Sequence, residues 1–185
     1  MGLTTEDKIM SGTQKVQFRY HPNIYELDIF FRAAEGAYPV CECCGRETEY
    51  SYEMMYCVES IDCLCPECIA SGKAAEKFDG TFIQGAEDDK VNDPEKAREL
   101  YERTPGYHSW QGEEWLACCG DYCAFIGYAG IDKLNEMGIA DEVLERFDEE
   151  TKDFLRDSLS ENGSICGYLF RCLHCGRYHL GVDAD

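Results

Sequence analysis

The spacing of cysteines constrains this chain more than any other feature. Cys41 and Cys44 are separated by two residues, Cys65 and Cys68 likewise, and twenty residues lie between the two pairs. A two-residue gap lets both thiolates of one tight turn reach a single Zn²⁺ at about 2.3 Å, and a hairpin of that length returns the second pair to close a tetrahedron. Gly45 follows the first pair, where such a turn takes positive φ. Four sulfurs leave no open coordination position, so the spacing points to a structural site that contributes folding energy and performs no chemistry. A disulfide set and an iron–sulfur cluster are the other uses of such a pattern. The opening segment MGLTTEDKIMSGTQ lacks a basic cluster followed by an apolar stretch, and nowhere do 18 apolar residues run together. The chain is therefore expected to be cytosolic, where thiols stay reduced and metal ligation is the preferred reading.

A second constellation has its halves some fifty residues apart: Cys119 and Cys123, then Cys172 and Cys175 followed by Gly176. The C-x-x-C-G turn repeats, and the four thiols make a second Cys₄ set, with Cys118, His174 and His179 as alternative ligands. The plainer reading of Cys119 and Cys123 is as small buried hydrophobes. Two sets of four account for eight of the 13 cysteines and leave Cys43, Cys57, Cys63, Cys118 and Cys166 as packed or idle thiols.

Charge narrows the partners. There are 37 acidic and 17 basic residues, a formal net charge of −20. Nucleic acids and anionic membranes are held through clustered Lys and Arg, so neither is expected, whereas a basic protein fits. The loop acids Glu87, Asp88 and Asp89 and the helical acids Asp141, Glu142, Glu145, Asp148 and Glu149 are the candidate docking face. Solubility alone is the competing explanation for such a charge.

Length allows one domain or two small ones. Val16, Phe18 and Tyr20 alternate with polar residues as a short strand does, Tyr50 to Val58 suits a hairpin, and Ile69, Ala70, Ala74 and Ala75 suggest a short helix. Asp93 before Pro94 starts a helix that Thr104, Pro105 and Gly106 stop. Residues 140–158 show amphipathic spacing and are expected as one acidic helix, and the tail around Cys172 and Cys175 reads as a second cysteine-bearing hairpin. The expected fold is α+β: small antiparallel hairpins and a sheet with a few helices, organised around two zinc-ribbon-like Cys₄ sites at 41–68 and 119–175. These occupy one domain over 15–185 behind a flexible 1–14.

The stretch PGYHSWQGEEWLACCGDYCAFIGYAG mixes aromatics, glycines and cysteines in a way no single period explains. Tyr107, His108, Trp110, Gln111, Glu113, Glu114 and Trp115 crowd an imidazole, two carboxylates and two indoles together, the groups that general acid–base work requires. Yet H-E-x-x-H, H-x-x-E-H, the zinc-deaminase pattern, G-x-S-x-G and a phosphate-cradling loop are all missing, so no catalytic residue is assigned. His108 reads as a loop histidine, and the tryptophans as core or interface anchors.

Together, CPECIASGKAAEKFDGTF, RTPGYHSWQGEEWLACCGDYCAFIGYAG and FRCLHCGRYHLGVD resemble the CbrC family of bacterial proteins over residues 16–184. In that family's pattern, W-L-x-x-C-x-D-x-C corresponds to Trp115, Leu116, Cys119, Asp121 and Cys123, which favours Cys119 over Cys118 as a ligand. Glu67 stands where the family often has tryptophan. The resemblance implies a link to colicin tolerance. The leading expectation is thus a non-enzymatic protein stapled by two structural zinc ions, acting through protein contacts in tolerance of or immunity to an antibacterial toxin. A metal-dependent enzyme using Tyr107 to Cys123 and a redox- or metal-responsive regulator are the alternatives.

Overall fold

A computed structural model describes residues 15–161 and 163–184; the flexible segment expected over 1–14 lies outside them. Its first half is built of short pieces, because turns interrupt the chain before long elements can form. Strands β1 (Phe31–Arg32) and β2 (Tyr50–Ser51) pair antiparallel, and helices α1 (Pro66–Ala70) and α2 (Lys73–Phe78) are separated at Gly72, whose φ is 75°. Strand β3 (Gly85–Ala86) leads through a turn of 3-10 helix to α3 (Pro94–Arg103). The α3 start follows the sequence signal: the Asp93 carboxylate accepts from the Glu95 N–H at 3.0 Å. Strand β4 (Glu114–Trp115) pairs with β3 in parallel, and β5 (Ala117–Cys118) with β6 (Asp121–Tyr122) antiparallel.

The central sheet comprises β7 (Ala124–Tyr128), β8 (Ile165–Arg171) and β9 (Tyr178–Ala184) in that order, all antiparallel. Between β7 and β8 run α4 (Ile131–Glu136), α5 (Ala140–Leu144) and α6 (Glu149–Ser158). Period-two alternation sorts β8: Cys166, Tyr168 and Phe170 join a large aromatic core, whereas Leu169 joins Leu134, Val143, Leu144 and Leu155 beneath the helices. One sheet therefore separates two hydrophobic clusters. The large one is ring on ring, with Tyr107 stacked on Phe125 at 4.4 Å and Trp115 edge-on to Phe170 at 5.7 Å. The architecture is α+β, as the sequence predicts.

Three local expectations need correction. Phe18 and Tyr20 are buried in alternation, but Val16 to Tyr20 forms no strand, since it pairs with the sheet only where the Phe125 N–H donates to the Tyr20 carbonyl. Tyr50 to Val58 does not pair with itself; its residues bridge outward, Tyr52 to Leu64 and Tyr56 to Thr81. The helix expected over 140–158 is two helices, because the Asp148 side chain caps a new start by accepting from the Thr151 N–H at 2.9 Å.

Candidate metal centres

Two groups of four cysteines converge in space: Cys41, Cys44, Cys65 and Cys68, and Cys118, Cys119, Cys172 and Cys175, with the sulfurs of each group all within 4.8 Å of one another. Sulfur pairs lie at 3.9 Å (Cys44–Cys65), 3.7 Å (Cys118–Cys119) and 3.9 Å (Cys118–Cys175). A Zn–S tetrahedron with bonds of about 2.3 Å has edges of about 3.8 Å. All 13 cysteines are free of disulfides.

In the first group, Cys41 to Gly45 is a turn closed by Gly45 N–H to the Cys41 carbonyl at 2.7 Å and Cys41 N–H to the Arg46 carbonyl at 2.9 Å, with Gly45 at φ 73°. The second pair is seated on α1, where Pro66 opens the helix and the Cys68 N–H donates to the Cys65 carbonyl at 3.1 Å. The two halves are joined by the Cys65 N–H donating to the Cys41 sulfur at 3.2 Å, and by Glu42, whose carboxylate accepts from the Asp62 and Cys63 N–H groups at 2.7 and 3.0 Å. Cys41, Cys65 and Cys68 are buried. Burial pushes Cys65 up to about 12 and drives Cys68 up as well, while a hydrogen bond from Arg46 brings the exposed Cys44 down to about 6. Thiols held at this depth resist ionisation alone, and a divalent cation in their midst removes that cost.

In the second group, the turn after Cys172 repeats the first knuckle: Gly176 N–H to the Cys172 carbonyl at 3.1 Å and Cys172 N–H to the Arg177 carbonyl at 2.8 Å. Burial raises the Cys172 pKa, but the N–H groups of Cys175 and His174, each 3.4 Å from its sulfur, outweigh it and bring the value down to about 6. The other half corrects the sequence reading: Cys118, not Cys123, completes the set. Cys118 and Asp121 are paired across a two-residue hairpin of Cys119 (φ 56°) and Gly120 (φ 74°), which turns the adjacent Cys118 and Cys119 sulfurs toward Cys175. Cys123 lies beyond the hairpin, fully buried in the aromatic core, where Trp115 Nε1 donates to its carbonyl at 2.8 Å and burial raises its thiol to about 12. The signal for Cys118 was present in Cys-Gly-Asp, but cysteine at a positive-φ turn position hides it.

Asp121 braces this second group. Its side chain is fully buried and accepts from Tyr20 Oη at 2.8 Å, His174 Nε2 at 2.8 Å and Arg19, with Lys96 at 3.3 Å. Burial alone raises a carboxylate's pKa; these donors and cations, His174 foremost, hold Asp121 below its usual value.

The remaining candidates scatter. Of the docking acids, Glu87 is turned inward, accepting from the Ala117 N–H at 2.8 Å and pairing with Lys90 at 2.6 Å, and Asp88 accepts from Tyr101 Oη at 2.8 Å and Tyr122 Oη at 2.5 Å. Asp89 is exposed. Asp141, Glu142, Glu145 and Glu149 line a shallow hollow with Lys152 and Arg156, where Arg156 meets Asp141 at 3.0 Å and Lys152 meets Glu149 at 2.7 Å; Asp148 is the α6 cap. The crowded Tyr107 to Trp115 segment does not converge either. Glu113 is buried, accepting from Tyr56 Oη at 2.7 Å, Glu114 lies in a groove with Arg146, and His108 lines a separate hollow. His179 and His174 are not ligands of either group. Among the described residues, no helix is long and apolar enough to cross a membrane.

Fold and sites together define a small α+β protein with two four-cysteine groups able to hold metal ions. The model of the family described as Uncharacterised protein family (UPF0167) matches residues 16–184, and the chain belongs to that family. It is 36% identical over 178 residues to UPF0167 protein PA1536 of Pseudomonas aeruginosa, covering 90% of this chain and 95% of the relative. It is also 36% identical over 186 residues to UPF0167 protein Mb2317 of Mycobacterium bovis, covering 94% and 96%. No solved structure matches. This assignment overturns the resemblance to the CbrC family, and the link to colicin tolerance falls with it.

Proposed function

We propose that the chain is a zinc-stapled protein that works through contacts with a basic protein partner in a reducing, cytosolic compartment. The observation that carries the metal reading is the closure of two all-sulfur sets at tetrahedral-edge spacing, which leaves no vacant position for water or substrate. Both ions are then structural, and metallation with full thiolate ionisation takes the formal charge to about −24. That charge supports a basic partner, met by electrostatic steering. The sheet shared by both hydrophobic clusters supports a single domain. A metal-dependent enzyme has less support, because the imidazole and carboxylates of Tyr107 to Trp115 face three different surroundings. Metal analysis with X-ray absorption tests the reading: two zinc ions per chain, each with four sulfur neighbours, are expected. Iron, or a light-atom ligand on either ion, overturns it. Association with a captured partner should slow steeply with added salt, and salt-indifferent association would refute the electrostatic component.

A further inference from the structure

A hollow of about 390 Å³ opens between the 108–110 loop and the sheet, lined by Trp110, Tyr128, Tyr168, His108, Glu161 and Cys166 among others. Its size lies at the small end of ligand pockets and suits a compact head group. Tyr128 and Tyr168 form adjoining walls, their ring centroids 5.9 Å apart and their planes at 65°. Trp110, 62% exposed, is the third aromatic, and among the described residues its ring packs against no other ring. An indole left this open forgoes the burial that Trp115 achieves in the core.

The walls are fixed in advance. Tyr128 Oη accepts from the His108 N–H at 3.0 Å. Asp183, only 8% exposed, accepts on one oxygen from Tyr168 Oη at 3.1 Å, the Trp110 N–H at 2.8 Å and the Gln111 N–H at 3.0 Å. One carboxylate thus holds both a wall and the loop bearing the indole. Its other oxygen is buried with no hydrogen-bond partner among the described residues. Glu161 supplies a second carboxylate. Its partner Lys133 stands 3.0 Å away at the rim, where it also donates to the Tyr128 carbonyl at 2.6 Å and with Glu161 lines a neighbouring hollow; with the two side chains 43% and 42% exposed, the ion pair is worth about 0–1 kcal/mol and competes weakly. Lysines and arginines of this chain sit over rings elsewhere, as Lys15 does over Tyr25 at 4.6 Å, but among the described residues none sits over Trp110, Tyr128 or Tyr168.

The open Trp110 indole, the Tyr128 ring and the edge of the largely buried Tyr168, with the Glu161 carboxylate on the rim, make a receptor for an organic cation. We propose that this hollow is an aromatic cage that binds an alkylated ammonium group, such as the trimethylammonium of a small quaternary amine or of a methylated lysine side chain. The site is separate from both cysteine groups and does not depend on what they hold.

The test uses the metal-loaded protein as purified and follows Trp110 fluorescence, since Trp115 is enclosed. Choline should quench it saturably and bind about tenfold more tightly than 3,3-dimethyl-1-butanol, the neutral isostere in which carbon replaces nitrogen. Trp110→Ala, followed by calorimetry because it removes the fluorescent reporter, should bind choline at least about tenfold more weakly with the circular dichroism spectrum unchanged, and unchanged choline affinity overturns the proposal. Glu161→Gln should weaken choline severalfold and leave the neutral isostere unaffected. A trimethyllysine peptide titrated alongside choline separates the sources of the head group: whichever binds more tightly identifies whether it is protein-borne or free. Equal affinity for choline and its isostere overturns the proposal, as does no response to choline or to the peptide at millimolar concentration.

Discussion

The two cysteine groups use the same donors in different settings. In the first, a local turn and the start of α1 supply both halves within 41–68, and three of the four sulfurs are buried in the large core. The second joins a hairpin at 118–121 to a knuckle at 172–175, only Cys172 is buried, and its rigidity comes from the Asp121 network. The first group is thus part of the core, while the second is a clasp between distant segments at the surface. Buried ligands couple metal binding to folding; exposed ones couple it to solvent and chelators.

The largest test of this difference is ligand removal. Cys41→Ala should leave the chain largely unfolded, because the two remaining deep thiols, Cys65 and Cys68, lose their ion, whereas Cys175→Ala should leave a folded protein of reduced stability. Thermal melts with metal counting would separate the two, and a chelator titration should empty the second group first. Equal loss in both variants would erase the distinction. Next in size, Asp121→Asn removes a buried carboxylate shared by Arg19, Lys96 and His174 and should cost about 1–3 kcal/mol, the cost of losing charge-assisted hydrogen bonds to partly exposed partners. Zinc affinity should fall at the second group and hold at the first.

Acid exposes a component belonging to neither group. Fully buried against Trp115 and Phe125, His21 bonds the Pro105 carbonyl through Nδ1 at 2.9 Å, and burial lowers its pKa to about 4. Because the folded value lies below the unfolded one, the unfolded chain takes up the proton first. Stability is fully present above about pH 6.5 and falls by up to about 3 kcal/mol as pH drops toward 4. Urea midpoints across this window should be flatter for His21→Gln, with the remaining slope shared by the metal-binding thiolates and by carboxylates held below their usual values, Glu87 and Asp121. The smallest effect sharpens the ligand assignment. Cys123→Ser should retain two metal ions while losing about 1–3 kcal/mol from a buried hydroxyl, whereas Cys118→Ser should lose the second ion. Loss of metal in Cys123→Ser would restore the sequence-based choice.

The first group was legible because residue spacing and backbone geometry coincide: C-x-x-C-G makes one kind of turn. At the second, a hairpin turn decides which thiols face inward, and Cys119 at positive φ departs from the Asn-Gly or Asp-Gly that usually announces such a turn. The α3 start was readable from Asp93-Pro94, whereas the Asp148 cap lay inside a run whose periodicity passes for one long helix. Acid clusters are legible as charge but not as surface: whether Glu87 and Asp88 are free depends on the Ala117 amide and the Tyr101 and Tyr122 hydroxyls, which only the folded chain brings to them.

Strand β8 acts as a ruler for the molecule. Its even-numbered residues enter the aromatic core, Leu169 enters the helical one, and the chain passes from its end straight into Cys172. Substitutions along it are separate faults, each charged to one core. Insertion or deletion of a single residue within 165–171 exchanges the two faces and misplaces Cys172 together, so the strand should tolerate changes of letter far better than changes of length.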